Sequence, residues 1–462
     1  MTQPKNIKIN EPAREIEVIR SADVVVVGGG PAGIGAAVAA ARAGADTVLI
    51  ERYGHLGGMA TGGLVILIPH MSGDDGKQQI MGISQEWIDR LDALGGAIHP
   101  DRKDLGSRDS ALIEKWKDYF SCVVNDRIRQ SVYLDPELLK CVLNDMVEES
   151  GLKLYLHTWG CRSITEGDTV KGVIFESKQG RQAIMGKVVI DATGDGDIMA
   201  DAGVEFEGGY DAESRGAMVA VVFRLGNVDF KKFCDFRNAH PAQWKDVTSR
   251  IHALGNFRLL PFPTNRNDVM WVNNWVPGRS CLSVEDITWT EVNVRKVMRE
   301  MRRILAAEIP GFEDCFVLDT ASQLGTRGSR RLSGESQVTL KDVGSGRTYP
   351  DTITWFPSLQ LEEKPLIHIP YRSLVPRKIE GLLVAGRCYS SDAPANNLTN
   401  LIPHCVAMGE AAGAAAALAI DAGVSVRKVD IPALQTHLRR QGVSLPDRVT
   451  ASAAPAEEIL TQ

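Results

Sequence analysis

The sequence predicts an α/β fold: one domain on a central parallel sheet with a β-meander, joined to a second α+β lobe. Three observations predict it. A β-branched run, Asp23 to Val27, is followed at once by a glycine-rich turn, a small-residue helix and a second apolar strand, Thr47 to Glu51, which is the spacing of a βαβ unit. Strand-like pieces, Leu152 to His157, Thr169 to Glu176 and Arg181 to Asp191, are separated by turns at Glu166-Gly167-Asp168 and around Gly180, as a meander requires. From Phe206 to Arg372 the composition shifts, with five of the eight tryptophans at 244, 271, 275, 289 and 355, so a lobe with its own core is expected there.

Taken in order, the chain divides into an N-terminal arm (1–20), a first part of the sheet domain (21–65), an inserted cap segment (66–130), a second part (131–205), the second lobe (206–372), a third part (373–424) and a C-terminal helix and tail (425–462). Asp23 to Val27 reads as a strand buried on both faces. Ile34 to Ala43 is almost all Ala, Gly and Val, so its helix is slim enough to lie close on a sheet, and Gly44 ends it. An amphipathic helix is expected at Gln85 to Leu94. Asp135-Pro136-Glu137 starts another, with Pro at the first helical position and acid in the first turn. Gly381 to Gly386 returns to the buried-strand pattern, and Pro403 to Ile420 is a further Ala-rich helix. The sheet domain is therefore discontinuous. Pro432 to Gln441 forms a last helix before a tail rich in Ala, Ser and Pro.

Composition excludes several classes. The 462 residues carry 52 basic and 58 acidic side chains, a net charge of −6, and no basic run, so nucleic acid is not an expected partner. The apolar runs read from the sequence fall short of the roughly 20 residues of a membrane span. The N-terminus shows no apolar h-region, so a cytoplasmic location is expected. The eight cysteines form no CxxC pair and the nine histidines no HExxH spacing, so free thiols and no metal are expected.

The strongest chemical signal is Gly28-x-Gly30-x-x-Gly33 between strand and helix, with Glu51 at the end of the second strand. Gly28 permits the tight turn, Gly30 lets backbone approach a pyrophosphate, and Gly33 lets helix and strand touch. A diphosphate then sits on the amides that follow Pro31 and Ala32, and a ribose hydroxyl pair bonds Glu51. An acid there, with no adjacent Arg in a phosphate-reading place, suits FAD or NAD over NADP; Arg52 is counted among the cofactor-binding residues.

This fingerprint, together with Gly57-Gly-Met-Ala-Thr61, Asp191-Ala-Thr-Gly-Asp-Gly-Asp197, Leu382-Leu-Val-Ala-Gly-Arg387 and Met408 to Ala414, resembles the FAD-dependent oxidoreductases of the glutathione-reductase-like superfamily over about residues 22 to 424. The resemblance implies a Rossmann-like FAD-binding domain and FAD as cofactor. It also implies that Gly57, Gly58, Met59 and Thr61 lie beside the ribityl chain and flavin, with Thr61 supplying a hydroxyl. Gly194 and Asp195 close the meander over the adenosine side, and Gly386 faces the phosphate. Relatives carry an acid directly after this Gly, where Arg387 stands here. Either Arg387 neutralises the pyrophosphate or Asp392 takes over the polar contact. Gly409 and Glu410, in the helix beyond, present backbone N–H groups to the flavin.

His404, in the first turn of that helix, is the first candidate acid or base. His70 is the second, and His55 borders the diphosphate. Arg327, Arg330 and Arg331 either clamp an anionic substrate or tie the lobes together. Trp271, Trp275 and Trp289 are expected in the core of the second lobe. The expected reaction is hydride transfer between a small organic substrate and flavin N5. The absence of a second GxGxxG argues against a built-in NAD(P)H domain and leaves oxygen, a quinone or a carrier protein as electron acceptor. A flavin monooxygenase using NAD(P)H and oxygen, and a non-catalytic electron-transferring flavoprotein subunit, are the rival readings.

Overall fold

The computed structural model describes residues 8–208, 218–255, 258–358 and 365–447. Val24, Val25 and Val26 have no solvent exposure. Their strand, Glu17–Val27, pairs in parallel with Thr47–Ile50 on one side and Gly180–Asp191 on the other. It starts at Glu17, so the expected arm is shorter than 20 residues. The helix Pro31–Arg42 joins the first two strands, and Gly44, at φ +94°, ends the connection. Leu382–Val384 adds a further parallel strand against Val189 to Asp191.

The meander differs from the one expected. Its strands are Trp159–Glu166, Thr169–Ser177 and Gly180–Asp191, all antiparallel neighbours. Lys153–Tyr155 instead lies at the far edge, parallel to Thr47–Ile50. It follows the helix Pro136–Glu149, and a crossover helix delivers a parallel strand, whereas the tight turn at Gly167 can join only antiparallel neighbours. That helix begins as the sequence predicts, with the Asp135 side chain accepting from the amides of Glu137 and Leu138.

The segment expected as an insertion builds into the main core. Its helix Ile83–Ala93 packs on Pro136–Glu149 and Ile402–Asp421, and Trp87 is fully buried. The second lobe has a four-stranded antiparallel sheet in the order Arg258–Phe262, Val269–Trp275, Phe223–Gly226, Phe316–Thr320. Phe233, Met270, Met301 and Phe312 fill its separate core. The boundary at residue 372 lies too late. The hairpin of Thr352–Pro357 and Leu366–Pro370 puts Ile353, Phe356, Ile367 and Ile369 into the main core, against the helix Ile402–Asp421.

Ile402–Asp421 is longer than the apolar run read from the sequence. By length and composition it could cross a membrane, but 94% of its apolar window is buried inside the protein. It lies on Pro31–Arg42 with backbones almost touching. A Cβ on Gly35 would fall 2.3 Å from the Val406 carbonyl oxygen, one on Gly409 1.9 Å from that of Ala32, and one on Gly413 2.0 Å from that of Ala36. The C-terminal helix forms at Ile431–Arg440. Of the tail expected beyond it, residues 448–462 lie outside the described residues.

Gly413→Ala is therefore expected to destabilise the protein by about 1–3 kcal/mol, the usual cost of overpacking, and to lower FAD retention with the melting temperature. Gly344→Ala, where no atom stands within 4 Å of the new Cβ, serves as the control. Calorimetric melting of both variants checks the comparison, and equal melting temperatures would show that the helices separate at no cost.

Candidate active site

A groove opens where the parallel strands end. Val27, Ile50, Ala192 and Ala385, each the last residue of a parallel strand or the one after it, line it, the usual place for a ligand in such a sheet. Gly28, Gly30, Pro31 and Ala32 also line it. The helix starting at Pro31 has no side-chain cap, so its first amides are open to an anion. Gly33 stands behind, where a Cβ would lie 1.7 Å from the Gly28 carbonyl oxygen. The Gly57 amide donates to the Gly29 carbonyl at 2.8 Å, which lays the second glycine loop on the first, and Gly58 and Met59 join the lining.

Glu51 and Arg52 line the same groove. One Glu51 carboxylate oxygen accepts from the Gly29 amide and the other from the Tyr53 amide at 2.8 Å. Burial pushes its carboxyl above the ordinary value. Thr61 does not supply a free hydroxyl. It is fully buried and donates to the Leu56 carbonyl, so it braces the loop from within.

Gly194, at φ +81°, lies against the Arg387 guanidinium, and Gly386 and Arg387 line the groove with it. Arg387 Nη2 donates to Asp195 Oδ1 at 2.6 Å, and the Ser329 hydroxyl donates to the same oxygen at 2.7 Å. Burial raises the Asp195 carboxyl, but Arg387 and Ser329 outweigh it and hold it below the usual carboxylate range. Of the two alternatives at this turn, Asp392 is set aside. It caps the helix Ala393–Thr399, accepting from Ala395 N at 2.7 Å, and also accepts from Leu340 N at 2.9 Å. Gly409 and Glu410 are likewise corrected. Gly409 serves the helix contact described above, and Glu410 is fully buried away from the groove, accepting from the Ile83 amide at 3.1 Å.

A second cavity, about 560 Å³, adjoins the groove. Met59, Thr326, Asn400 and Ile402 line both, so the two spaces meet at the start of the helix Ile402–Asp421. Thr326 Oγ1 is buried there without a hydrogen-bond partner. The Phe262 and Trp271 rings stack at 4.9 Å along its wall. His70 lines it too, at φ +64°, a conformation that costs a non-glycine residue about 1–3 kcal/mol. Its Nδ1 is buried and unpaired, and burial, with the charge of Arg129, pushes its pKa down to about 4.

His404 lines neither space. Its ring lies flat on Phe356, 3.6 Å between centroids and 7° between planes, and burial drives its pKa well below the ordinary value. It sits in the first turn, as expected, but the turn aims it into the core. Of the arginine cluster only Arg327 reaches the cavity. Arg330 donates to the Asp195 carbonyl and to Asp197, each at 2.9 Å, and Arg331 to the Ser391 carbonyl at 3.0 Å, so these two tie the lobes together. Trp271 and Trp275 line the cavity. Trp289 is at the surface, 36% exposed, under the Arg279 guanidinium at 3.8 Å. His55 is held by Tyr53 stacking and by the Ser322 hydroxyl at 3.3 Å.

Sequence reasoning missed Thr158, Trp159 and Gly160 on the groove wall, because the strand that begins at Trp159 was not read, and it missed Thr326 and Asn400 at the junction.

The residues fit FAD. Uncapped amides at the first helix face the groove, the Arg387 guanidinium lines it as a counter-charge for a diphosphate, and the unpaired Thr326 hydroxyl stands at the junction. Among proteins of curated function none matches the chain. Solved structures with a similar fold include a geranylgeranyl bacteriochlorophyll reductase-like protein (Ta0516) from Thermoplasma acidophilum, 14% identical, covering 91% of this chain and 83% of its own at a TM-score of 0.45. Another is the p-nitrophenol 4-monooxygenase PnpA from Pseudomonas putida DLL-E4, 13% identical, with 88% and 83% covered at a TM-score of 0.49. The flavin-dependent brominase Bmp2 is 14% identical, with 91% and 83% covered at 0.46. The model of the FAD dependent oxidoreductase family matches residues 23–438, and with its fingerprint groove in place the chain belongs to that family.

Proposed function

We propose that this FAD-dependent oxidoreductase acts as a dehydrogenase or oxidase on a small, anionic organic substrate held in the aromatic cavity. The observation that carries this reading is the sharing of Met59, Thr326, Asn400 and Ile402 between the nucleotide groove and that cavity, which brings a flavin ring at the junction within reach of a substrate. FAD bound there would supply the electronic part of the reaction, hydride acceptance. The amides of Ala32 and Gly33 would take the diphosphate, Glu51 and Arg52 the ribose side, Gly194, Gly386 and Arg387 the linking phosphate, and Thr326 and Asn400 the ring. The helix that begins at Ile402 has no side-chain cap, so its positive end stabilises negative charge arriving at the junction.

The proton half falls to His70. A substrate HC–XH that loses a hydride to the cofactor and a proton to the His70 imidazole leaves as C=X. His70 is neutral above pH 4 and so is in the accepting form at pH 7. Arg327 orients the anionic group. The electrons leave to oxygen, a quinone or a carrier protein. The monooxygenase reading differs in one measurable way, because it requires stoichiometric NADPH consumption by the pure protein.

The purified protein is expected to be yellow, with FAD as the extracted cofactor. Free FAD at 100 times its dissociation constant should stabilise the fold by about 2.7 kcal/mol, so the stripped protein should melt lower. Extraction of NAD alone would overturn the reading.

His70→Gln is expected to slow anaerobic flavin reduction about 100-fold to 10,000-fold at unchanged FAD content, whereas His404→Ala should lower the melting temperature and leave the FAD-loaded rate near the parental one. In the parental enzyme, reduction should hold level from about pH 5.5 to 8 and fall only as pH drops toward 4, where His70 gains its proton. Stopped-flow bleaching across that range checks both statements, and an unchanged His70→Gln rate removes His70 from the reaction.

A further inference from the structure

The cavity beside the junction carries two guanidiniums, and only one has been given a task. Strand Val269–Trp275 alternates its side chains between two faces, as strands do. Met270 and Val272 enter the lobe core, while Trp271, Asn273 and Trp275 turn to the cavity. The register sets Arg258 opposite Trp275 and Phe262 opposite Trp271, so Arg258 is delivered to the same wall. The Arg258 guanidinium carbon lies 5.9 Å from the Trp275 ring centroid and that of Arg327 5.1 Å.

The polar groups of this cavity are unbalanced. Neither Arg258 nor Arg327 has a carboxylate partner among the described residues, and no Asp or Glu is found among those lining the cavity. Arg327 Nε and Trp271 Nε1, both donors, are buried without an acceptor. Arg327 Nε is the desolvated donor of the pair, whereas Arg258 is exposed at the cavity rim, so an anion at Arg327 would answer a buried donor and one at Arg258 would add a charge-assisted contact at the mouth. The rest of the wall is flat and aromatic: Phe120 lies 5.5 Å from Phe262, which in turn stacks on Trp271.

Building on the oxidoreductase reading above, we propose that the substrate is a dicarboxylate with a planar, conjugated frame that bears the oxidisable HC–XH group as a substituent, with Arg327 binding one carboxylate and Arg258 the other while the frame lies along the Phe262–Trp271 wall. Each guanidinium presents a planar fork that matches a carboxylate, and a conjugated frame uses aromatic walls better than a chain of rotatable bonds does, because little freedom is lost on binding. Arg258 is thus a specificity-determining residue.

Binding can be tested without turnover. The FAD-loaded protein is titrated anaerobically with fumarate, benzene-1,4-dicarboxylate and naphthalene-2,6-dicarboxylate, and with the mono- and dimethyl esters of the last two, by calorimetry and by perturbation of the flavin spectrum. At least one aromatic diacid is expected to bind, and each esterification should weaken it about ten- to hundredfold, the equivalent of one charge-assisted hydrogen-bond pair. Arg258→Met should bind the diacid no better than the parent binds the monoester, with Arg258→Lys intermediate and FAD content and melting temperature unchanged in both. The proposal is overturned if no diacid binds, if the diester binds as tightly as the diacid, or if Arg258→Met weakens diacid and diester equally. Neutral compounds that bleach the flavin while no diacid binds would leave the oxidoreductase reading standing and remove this one. Diacids that bind in the expected order to a flavin that no compound reduces would do the opposite.

Discussion

The structure depends on how closely two helices approach each other. Pro31–Arg42 and Ile402–Asp421 come from opposite ends of the chain, yet three glycines let backbone rest on carbonyl oxygen along their whole contact. Any side chain at those points would drive the helices apart. The consequence reaches the site, because both helices start at the groove. Ala32 lines it at the N-terminus of one, and Ile402 lines both spaces at the N-terminus of the other. One packing contact therefore sets the distance between the glycine-fingerprint end of the groove and its junction with the second cavity.

How far all this was legible depends on the range of each interaction. The βαβ unit could be read because its signals are local: a β-branched run, a glycine turn and an acid at fixed spacing. The capped helix at Asp135 was readable for the same reason. Gly409 was misread because a helical glycine looks alike whether it faces a cofactor or a neighbouring helix, and only the partner Ala32, far away in sequence, decides. Asp392 was ambiguous until its acceptor role toward Ala395 and Leu340 appeared. The strand Trp159–Glu166 was overlooked since its exposure follows no clean alternation, and the groove residues Trp159 and Gly160, with Thr158 just before them, were lost with it. His404 was placed correctly on its helix, but rotation about the helix axis, set by Phe356 on a distant hairpin, aims it inward.

The two lobes are joined through charge as well as chain. Asp195, from the turn after the meander, holds Arg387 from the last strand of the sheet domain, and accepts from Ser329 on the segment returning from the second lobe. Arg330 adds two more bonds to the same turn. Buried charges survive only when such partners are complete, so the docking of the returning segment helps to keep Arg387 aimed at the groove. The Arg330 and Arg331 contacts, read from the sequence as either a substrate clamp or a tie, belong to this latch.

The field in the site is local rather than global. A protein of net charge −6 does not draw anions toward its surface from a distance. Within the cavity the balance reverses: donors collect on the strand pair Arg258–Phe262 and Val269–Trp275 and on the returning segment at Thr326 and Arg327, with no carboxylate among the described residues to answer them. A positively biased cavity beside a helix N-terminus favours negative charge, so on the proposed reading it would suit an anionic substrate and a reduced cofactor alike. His70 stays neutral in the same field because burial and Arg129 both oppose its protonation. Those two effects make the imidazolium form costly, so an anion held by the guanidiniums of the same cavity is what would offset the charge of a proton taken up there.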